Sequence, residues 1–152
     1  MTHSGISDLE AHLGYWLRFV SNHVSYAFQR SLEAREVSVA EWVVLRALFD
    51  DEALAPSQVA DRLGMTRGAV SKLVDRLVAK ALVQKTPGAR DRRYQSVALT
   101  SAGRTLVPAL AELADDNDRD FFAALSTTER QTLLHLMQKL VQMHGLKQVP
   151  TD

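Results

Sequence analysis

The sequence predicts a single, mainly helical domain that carries one small β-hairpin. Apolar residues recur at steps of three and four along most of the 152 residues, and this is the period of helices that bury one face. The period changes to that of strands only between residues 82 and 99, on either side of a turn with proline and glycine. With 46% hydrophobic and 24% charged residues, the composition is that of an ordinary globular protein.

A long helix is predicted first, over residues 8–33. Ser7-Asp8-Leu9-Glu10 has the pattern of a capping box, in which the serine and glutamate side chains bind free amides at a helix start. Apolar residues then follow one another at steps of three and four. They form one stripe along the helix, made of Leu9, Leu13, Trp16, Leu17, Val20, Val24, Phe28 and Leu32.

Three shorter helices are expected next. Ser38-Val39-Ala40-Glu41 is a second capping box and opens a helix that continues through Leu48. Pro56 suits the first position of the following helix, and Gly64 ends it. Thr66 then caps a third helix. Two short helices joined by a three-residue turn have the spacing of a helix-turn-helix. The inner face of the third helix is predicted to carry Val70, Leu73, Val74 and Leu77.

A basic hairpin follows the helix-turn-helix. Residues 82–86 and 94–99 have strand character, and residues 87–93 between them form the predicted tip. Helix, turn, helix and basic hairpin in this order indicate a winged helix-turn-helix. We therefore expect such a lobe over residues 38–100.

Two further helices complete the predicted fold. Thr100 caps the first of them, and Pro108 inside it is expected to kink it or to shift its start, because proline lacks an amide hydrogen. Ser126-Thr127-Thr128-Glu129 is a third capping box. It opens a last helix, on which the residues predicted to face inward are Leu133, Leu136, Met137, Leu140 and Val141.

The charges are balanced in total but not along the chain. There are 18 basic and 18 acidic residues. The stretch from Arg67 to Arg93 holds eight bases and two acids, a net +6, so the rest of the chain carries −6. A polyanion is attracted by such a local basic face, whatever the total charge. The alternative is a charged segment that is merely solvated.

The second helix of the helix-turn-helix is the predicted reading element for DNA, because such a helix fits the major groove of B-DNA. Its first turns carry Thr66, Gly68 and Ser71, with Gly68 leaving room for a close approach of the backbone. Arg67 can bind guanine through two hydrogen bonds, whereas phosphate contacts are expected from Lys72 and Arg76. Ser71 can also be a neutral surface residue. Asp75 either repels phosphate or pairs with Arg76 or Lys72.

The hairpin tip carries Arg90, Arg92 and Arg93. An arginine at such a tip can enter a narrow minor groove, where the negative potential is concentrated. The alternative is that these charges only keep an exposed hairpin soluble.

Four segments resemble the MarR family of transcriptional regulators: residues 63–71, 73–77, 91–93 and 99–103. The resemblance covers nearly the whole chain, since the family also has flanking first and last helices. The Asp-Arg-Arg tip followed by Leu-Thr-x-x-Gly is the more specific part of the resemblance. One departure is Ala81, where the family commonly has glycine.

The resemblance implies a single MarR-like domain over residues 1–152. Residues 8–33 and 101–146 of two subunits are then expected to intertwine into a homodimer. The function implied is a DNA-binding repressor that reads a palindromic operator in double-stranded DNA. Asp91 is expected to orient Arg93 in the minor groove.

MarR-like proteins often bind small aromatic acids where the dimer helices meet the DNA-binding lobe. Trp42 and Arg46 are four residues apart and share a helix face, so they offer a flat wall and a fork for a carboxylate. With His12 and Trp16 from the first helix, they form our hypothesis for an effector site. The alternative is that both tryptophans anchor the core and that Arg46 pairs with an acid such as Glu41 or Asp50.

Other classes of function have less support. There is no cysteine, and no two of the five histidines lie four residues apart, although a metal-responsive regulator of the same fold stays open. A winged helix used for protein contacts is a further alternative. No phosphate loop, zinc-protease motif or nucleophile elbow is present, so neither an enzyme nor a cofactor is expected. The absence of a signal sequence and of a long apolar run favours a cytoplasmic protein without membrane contact.

Overall fold

The computed structural model describes residues 5–88 and 95–146, and its elements match a mainly helical winged helix-turn-helix. A short 3-10 turn at Leu9–Ala11 precedes the first α-helix. The elements are α1 (Leu13–Glu33), α2 (Val39–Phe49), α3 (Pro56–Leu63), α4 (Arg67–Ala79), β1 (Val83–Thr86), β2 (Ser96–Leu99), α5 (Ser101–Phe121) and α6 (Thr127–His144). Within the described residues, no helix is both long enough and apolar enough to pass through a lipid bilayer.

The start of α1 differs from the prediction. His12 is extended, with φ −97° and ψ 125°, and separates the 3-10 turn from the helix. Neither Asp8 nor His12 makes a side-chain cap, so the capping box expected at residues 7–10 is wrong. The indole nitrogen of Trp16 instead donates a hydrogen bond to the carbonyl of Glu10 at 2.8 Å and holds the turn against the helix.

The other predicted helix ends are confirmed. Ser38 and Glu41 exchange both hydrogen bonds of a capping box at 3.0 Å. Thr66 and Thr100 each accept a hydrogen bond from the amide three residues on. Gly64 ends α3 with a left-handed φ of 64°, which glycine adopts without steric cost. Local side-chain chemistry therefore sets most boundaries.

The core lies in the lobe, by which we mean residues 38–100, and in the helix ends that touch it. Val70, Leu73, Val74 and Leu77 of α4 are buried, as predicted, against α2 and α3. In the hairpin, β1 and β2 pair antiparallel from Val83 opposite Leu99 to Thr86 opposite Ser96. Residues of the flanking helices that join this core are Leu32, Val107 and Leu110.

Two residues have special backbone or packing requirements where the chain runs from the lobe into α5. One is a glycine at which a side chain would clash, and the other is an alanine with a positive φ. A Cβ atom at Gly103 would lie 2.3 Å from the carbonyl oxygen of Leu82, so the Leu-Thr-x-x-Gly pattern has a steric cause. Ala81 has a positive φ of 59° and so carries strain. Pro108 does not shift the helix start, because α5 runs from Ser101 through it to Phe121.

The apolar stripes at the two ends of the chain are exposed. Leu13 is 88% exposed and Leu17 is 56% exposed, whereas Leu32 at the other end of α1 is fully buried. Within the described part of the chain no residue of α6 is buried. The prediction that its apolar side faces inward is therefore wrong for a single chain. The residues concerned are Leu133, Leu136, Met137, Leu140 and Val141, which are 37–52% exposed.

Candidate nucleic-acid interface

The outward face of α4 is basic, and its cations have no acidic partners among the residues that the structure describes. Arg67, Lys72 and Arg76 are exposed, with Ser71 beside them. None of the ion pairs formed among residues 5–88 and 95–146 involves these three cations. Because the opposite face of α4 is buried in the core, the helix can turn only this side outward. Three cations on one face, none of them paired with an acid of the described residues, suit a polyanion.

The first turn of α4 is open to close approach. The Thr66 hydroxyl accepts a hydrogen bond from the amide of Ala69 at 3.1 Å and so fixes the start of the helix. A Cβ atom at Gly68 would meet nothing within 4 Å. The fold itself therefore does not require glycine here, and the free space lies on the outer side of the helix.

Asp75 does not pair with either neighbour named in the sequence analysis. Its carboxylate accepts a hydrogen bond from the ammonium group of Lys85 on β1 at 2.7 Å. Both side chains are more than a third exposed, and such pairs contribute only about 0–1 kcal/mol. The effect on geometry matters more, because the pair ties the hairpin to α4 and removes a free negative charge from the basic face.

The residues proposed for the hairpin tip, Arg90, Asp91, Arg92 and Arg93, lie outside the described residues. Their roles stay predictions.

Two of the four proposed effector residues lie together. Trp42 and Arg46 line an open groove of about 430 Å³ between α2 and α3, with Arg62 on its other side. Arg46 pairs with Asp50 at 2.9 Å, one of the two partners considered, and Arg62 pairs with Asp51 at 2.7 Å. The groove thus has one aromatic wall and two guanidinium groups.

Trp42 is also an anchor of the core, since it is only partly exposed. Its ring meets that of Phe28 edge to face, with centroids 6.3 Å apart.

His12 and Trp16 do not reach this groove within one chain. Trp16 is 48% exposed and packs edge-on or tilted against other aromatic rings of α1, Tyr15 and Phe19. It precedes Phe28 by twelve residues, which corresponds to about 18 Å along an α-helix. The structure therefore separates the four candidates into two pairs.

Sequence reasoning missed an ion pair between a buried carboxylate of α2 and the lysine that follows α4. Glu41 is 4% exposed, and its carboxylate lies 3.0 Å from the ammonium group of Lys80. Burial raises the pKa of Glu41, but hydrogen bonds from Ser38 and Lys80 outweigh it and hold the pKa below the usual value. The capping-box pattern identified Glu41, but nothing in the sequence pointed to a lysine 39 residues away.

The described residues do not support a metal site. Among them, no group of three or more histidine, cysteine, aspartate or glutamate side chains is placed to hold a metal ion.

Comparison with known proteins gives consistent relatives. A sequence model described as "MarR family" matches residues 36–93. The chain is 26% identical over 134 residues to the HTH-type transcriptional repressor NicR of Pseudomonas putida, covering 88% of this chain and 85% of NicR. It is 25% identical over 130 residues to the multiple antibiotic resistance protein MarR of Escherichia coli, covering 85% of this chain and 90% of MarR.

Solved structures agree with these sequence matches. BpsR of Bordetella bronchiseptica, whose DNA binding is described as regulated by 6-hydroxynicotinic acid, superimposes with a TM-score of 0.82 at 27% identity, covering 90% of this chain and 97% of BpsR. A cysteine-to-serine mutant of E. coli MarR in complex with operator DNA superimposes with a TM-score of 0.80 at 26% identity, covering 89% of this chain and 99% of the mutant. In these two comparisons the similarity extends beyond the lobe into the flanking helices.

Proposed function

The chain belongs to the MarR family of winged helix-turn-helix transcriptional regulators, and from this premise we propose how it acts. It binds a palindromic operator as a homodimer, represses transcription there, and leaves the operator when a small aromatic carboxylate binds. As a member of this family it is a DNA-binding protein and not an enzyme. Its place of action is the cytoplasm, with the DNA. The observation that carries the proposal is the exposed basic face of α4, whose three cations have no partners among the described residues.

On DNA, α4 lies in the major groove with its first turn toward the bases. Arg67 at this turn reads a guanine through two hydrogen bonds. Lys72 and Arg76 bind phosphates and set the position of the helix. Thr66 and Ser71 add polar contacts, and the open space at Gly68 lets the backbone approach. The hairpin tip reaches the minor groove through Arg90 and Arg93, with Asp91 orienting the latter.

A second copy of the chain covers the exposed apolar ends. Among the described residues, 18 large hydrophobic side chains are exposed; eight lie within residues 6–26, eight lie within residues 133–146, and the other two are Val78 and Phe121. A helix such as α6, with no buried residue, gains little stability without packing on its apolar face. Two copies that pair through these helices bury both stripes.

The symmetry of the dimer sets the symmetry of the operator. A two-fold pair presents the same α4 face twice. The two recognition helices then fit successive major grooves when they lie about 34 Å apart, one turn of DNA. The half-sites are therefore inverted repeats.

The groove between α2 and α3 is our site for the effector. A flat aromatic acid stacks on Trp42, and its carboxylate takes the place of Asp50 at Arg46, with Arg62 as a second donor within the groove. The relative BpsR responds to 6-hydroxynicotinic acid, which has this chemistry. His12 and Trp16 would join the site from the second copy. By linkage, a ligand that prefers a dimer with another helix spacing weakens DNA binding by the same factor.

The proposal is tested with the purified chain and fluorescent duplex DNA. Sedimentation should give a dimer, and anisotropy should give an affinity that falls steeply with salt. Adding 6-hydroxynicotinic acid should release the DNA. A monomer, or a chain that ignores duplex DNA in dilute salt, would contradict the proposal. DNA binding that does not change with the acid would remove only the effector part.

A further inference from the structure

Lys80 contacts two different parts of the molecule at the point where the recognition helix ends. It is the residue that follows α4. Its ammonium group donates a hydrogen bond at 2.5 Å to the backbone carbonyl of Glu36, which lies between α1 and α2. The same ammonium group lies 3.1 Å and 3.0 Å from the two carboxylate oxygens of Glu41 in α2. One side chain thus joins α4, α2 and the segment that leads from α1 into the lobe.

Glu41 holds the Lys80 side chain in place, because its own carboxylate has a fixed position. It is the only charged side chain that is buried among residues 5–88 and 95–146. Its carboxylate accepts a hydrogen bond from the amide of Ser38, and its own amide donates one to the Ser38 hydroxyl, both at 3.0 Å. Burial and capping leave the carboxylate little freedom. The position of the Lys80 ammonium group is therefore set by the start of α2.

Two segments of the chain connect the lobe to the helices outside it. Both are hydrogen-bonded to residues that directly follow α4. The first is the segment before α2, where Lys80 holds Glu36. The second is Thr100, whose hydroxyl donates to the carbonyl of Ala81 at 2.8 Å and whose amide donates to the carbonyl of Leu82 at 3.0 Å. Residues 80–82, which directly follow the recognition helix, therefore form the hydrogen bonds to both segments.

Backbone strain marks the same place. Glu36 and Ala81 have positive φ angles of 57° and 59°, and they are the two non-glycine residues with positive φ in the described chain. Side chains other than glycine adopt this conformation at a cost, and it persists where the surrounding contacts hold it. At Glu36 the contact is the hydrogen bond from Lys80, and at Ala81 it is the one from Thr100.

We propose that Lys80 is a positioning residue for operator binding, which fixes the angle between the lobe and helix α1 by holding the segment that leads from α1 into the lobe, with Glu41 holding its ammonium group. This inference rests on the proposed homodimer. Two lobes set at one angle place both α4 helices at one distance, so the protein is ready for two half-sites. If only about a tenth of the dimers have the right spacing, the apparent Kd rises about 10-fold, because it scales inversely with the competent fraction.

A distance measurement between the two lobes tests this directly. The chain has no cysteine, so Asp61→Cys places one spin label on each lobe. Asp61 is an exposed residue of α3 that forms none of the ion pairs among the described residues. Dipolar spectroscopy then gives the distance distribution between the labels in the dimer, without any need for the operator. The variants compared are Lys80→Met, which removes the ammonium group, and Lys80→Arg, which keeps the positive charge and has N–H donors for both acceptors.

The parent is expected to show one narrow distance distribution. Lys80→Met should broaden this distribution and weaken operator binding by about 10-fold. Lys80→Arg should leave the distribution narrow and operator binding close to that of the parent. If Lys80 contributed only to the stability of the fold, Lys80→Met would lower the melting temperature but leave the distance distribution narrow. Since Lys80→Met leaves Glu41 buried without its partner, Glu41→Gln combined with Lys80→Met removes both charges and keeps an acceptor for Ser38.

The outcomes separate this inference from the proposed function. A narrow distribution in the double variant and in Lys80→Met would overturn the role of Lys80 while the dimer stands. No dipolar signal in the parent would overturn the homodimer, and this inference with it. A broadened distribution that Lys80→Arg does not restore would also overturn the role assigned to the ammonium group.

Discussion

Lys72 offers a quantitative test of the basic face. The logarithm of the binding constant falls with the logarithm of salt concentration by about 0.9 for each phosphate that is neutralised. A homodimer presents Lys72 twice, so Lys72→Ala removes two phosphate contacts and should reduce the slope by about 1.8. Between about 50 and 200 mM salt, the ratio of the parent's affinity to that of the variant should then shrink about 10-fold.

The measurement is fluorescence anisotropy of labelled duplex DNA over this range of salt. Lys72 is exposed and forms none of the ion pairs among the described residues, so its replacement should change the free energy of unfolding by less than about 0.5 kcal/mol. Lys139→Ala is the matched control, because this lysine is exposed on α6, far along the chain from α4. A slope that Lys72→Ala leaves unchanged would refute the phosphate contact.

Three other substitutions test separate parts of the structure. Ala81→Gly should raise the free energy of unfolding by about 0.5–1 kcal/mol, since it relieves a left-handed residue but frees the unfolded chain; thermal unfolding at fixed protein concentration checks this, and a lower melting temperature would contradict it. Its control, Ala79→Gly at the last residue of α4, should lower that free energy by up to about 1 kcal/mol. Leu140→Glu should place a charge in the dimer interface and yield monomers in sedimentation, and an intact dimer would argue against α6 as the interface. Arg46→Ala should weaken binding of 6-hydroxynicotinic acid at least about 10-fold, as expected for a hydrogen bond to a charged group, and an unchanged dissociation constant in a tryptophan-fluorescence titration would remove Arg46 from the site.

Local signals in the sequence predicted most of the fold. Ser38, Thr66, Thr100 and Ser126 are caps in the structure, as expected, because capping depends on residues three positions apart. The buried face of α4 follows equally from its period. The capping box predicted at Ser7 is wrong for a local reason as well, since the chain forms a 3-10 turn there and the α-helix begins only at Leu13.

The predictions that were wrong or missing at the functional sites concern contacts between residues far apart in the sequence. The apolar period of α6 correctly marked a face that needs cover, but a period does not tell which chain provides it. Asp75 pairs with a lysine ten residues away on β1, and Glu41 pairs with Lys80 across 39 residues. Such partners are set by how the elements pack. In the same way, Trp42 and Arg46 share a helix face by spacing, whereas Arg62 joins them only through the packing of α3 on α2.

The central claim is that two identical α4 faces act together on DNA. It is tested most directly by selecting the fragments that the purified protein binds from a pool of random duplex DNA and sequencing them. The account predicts an enriched inverted repeat whose half-site centres lie about one helical turn apart, roughly 10 base pairs. An enriched single site without a symmetric partner, a direct repeat, or no enrichment at all would contradict it.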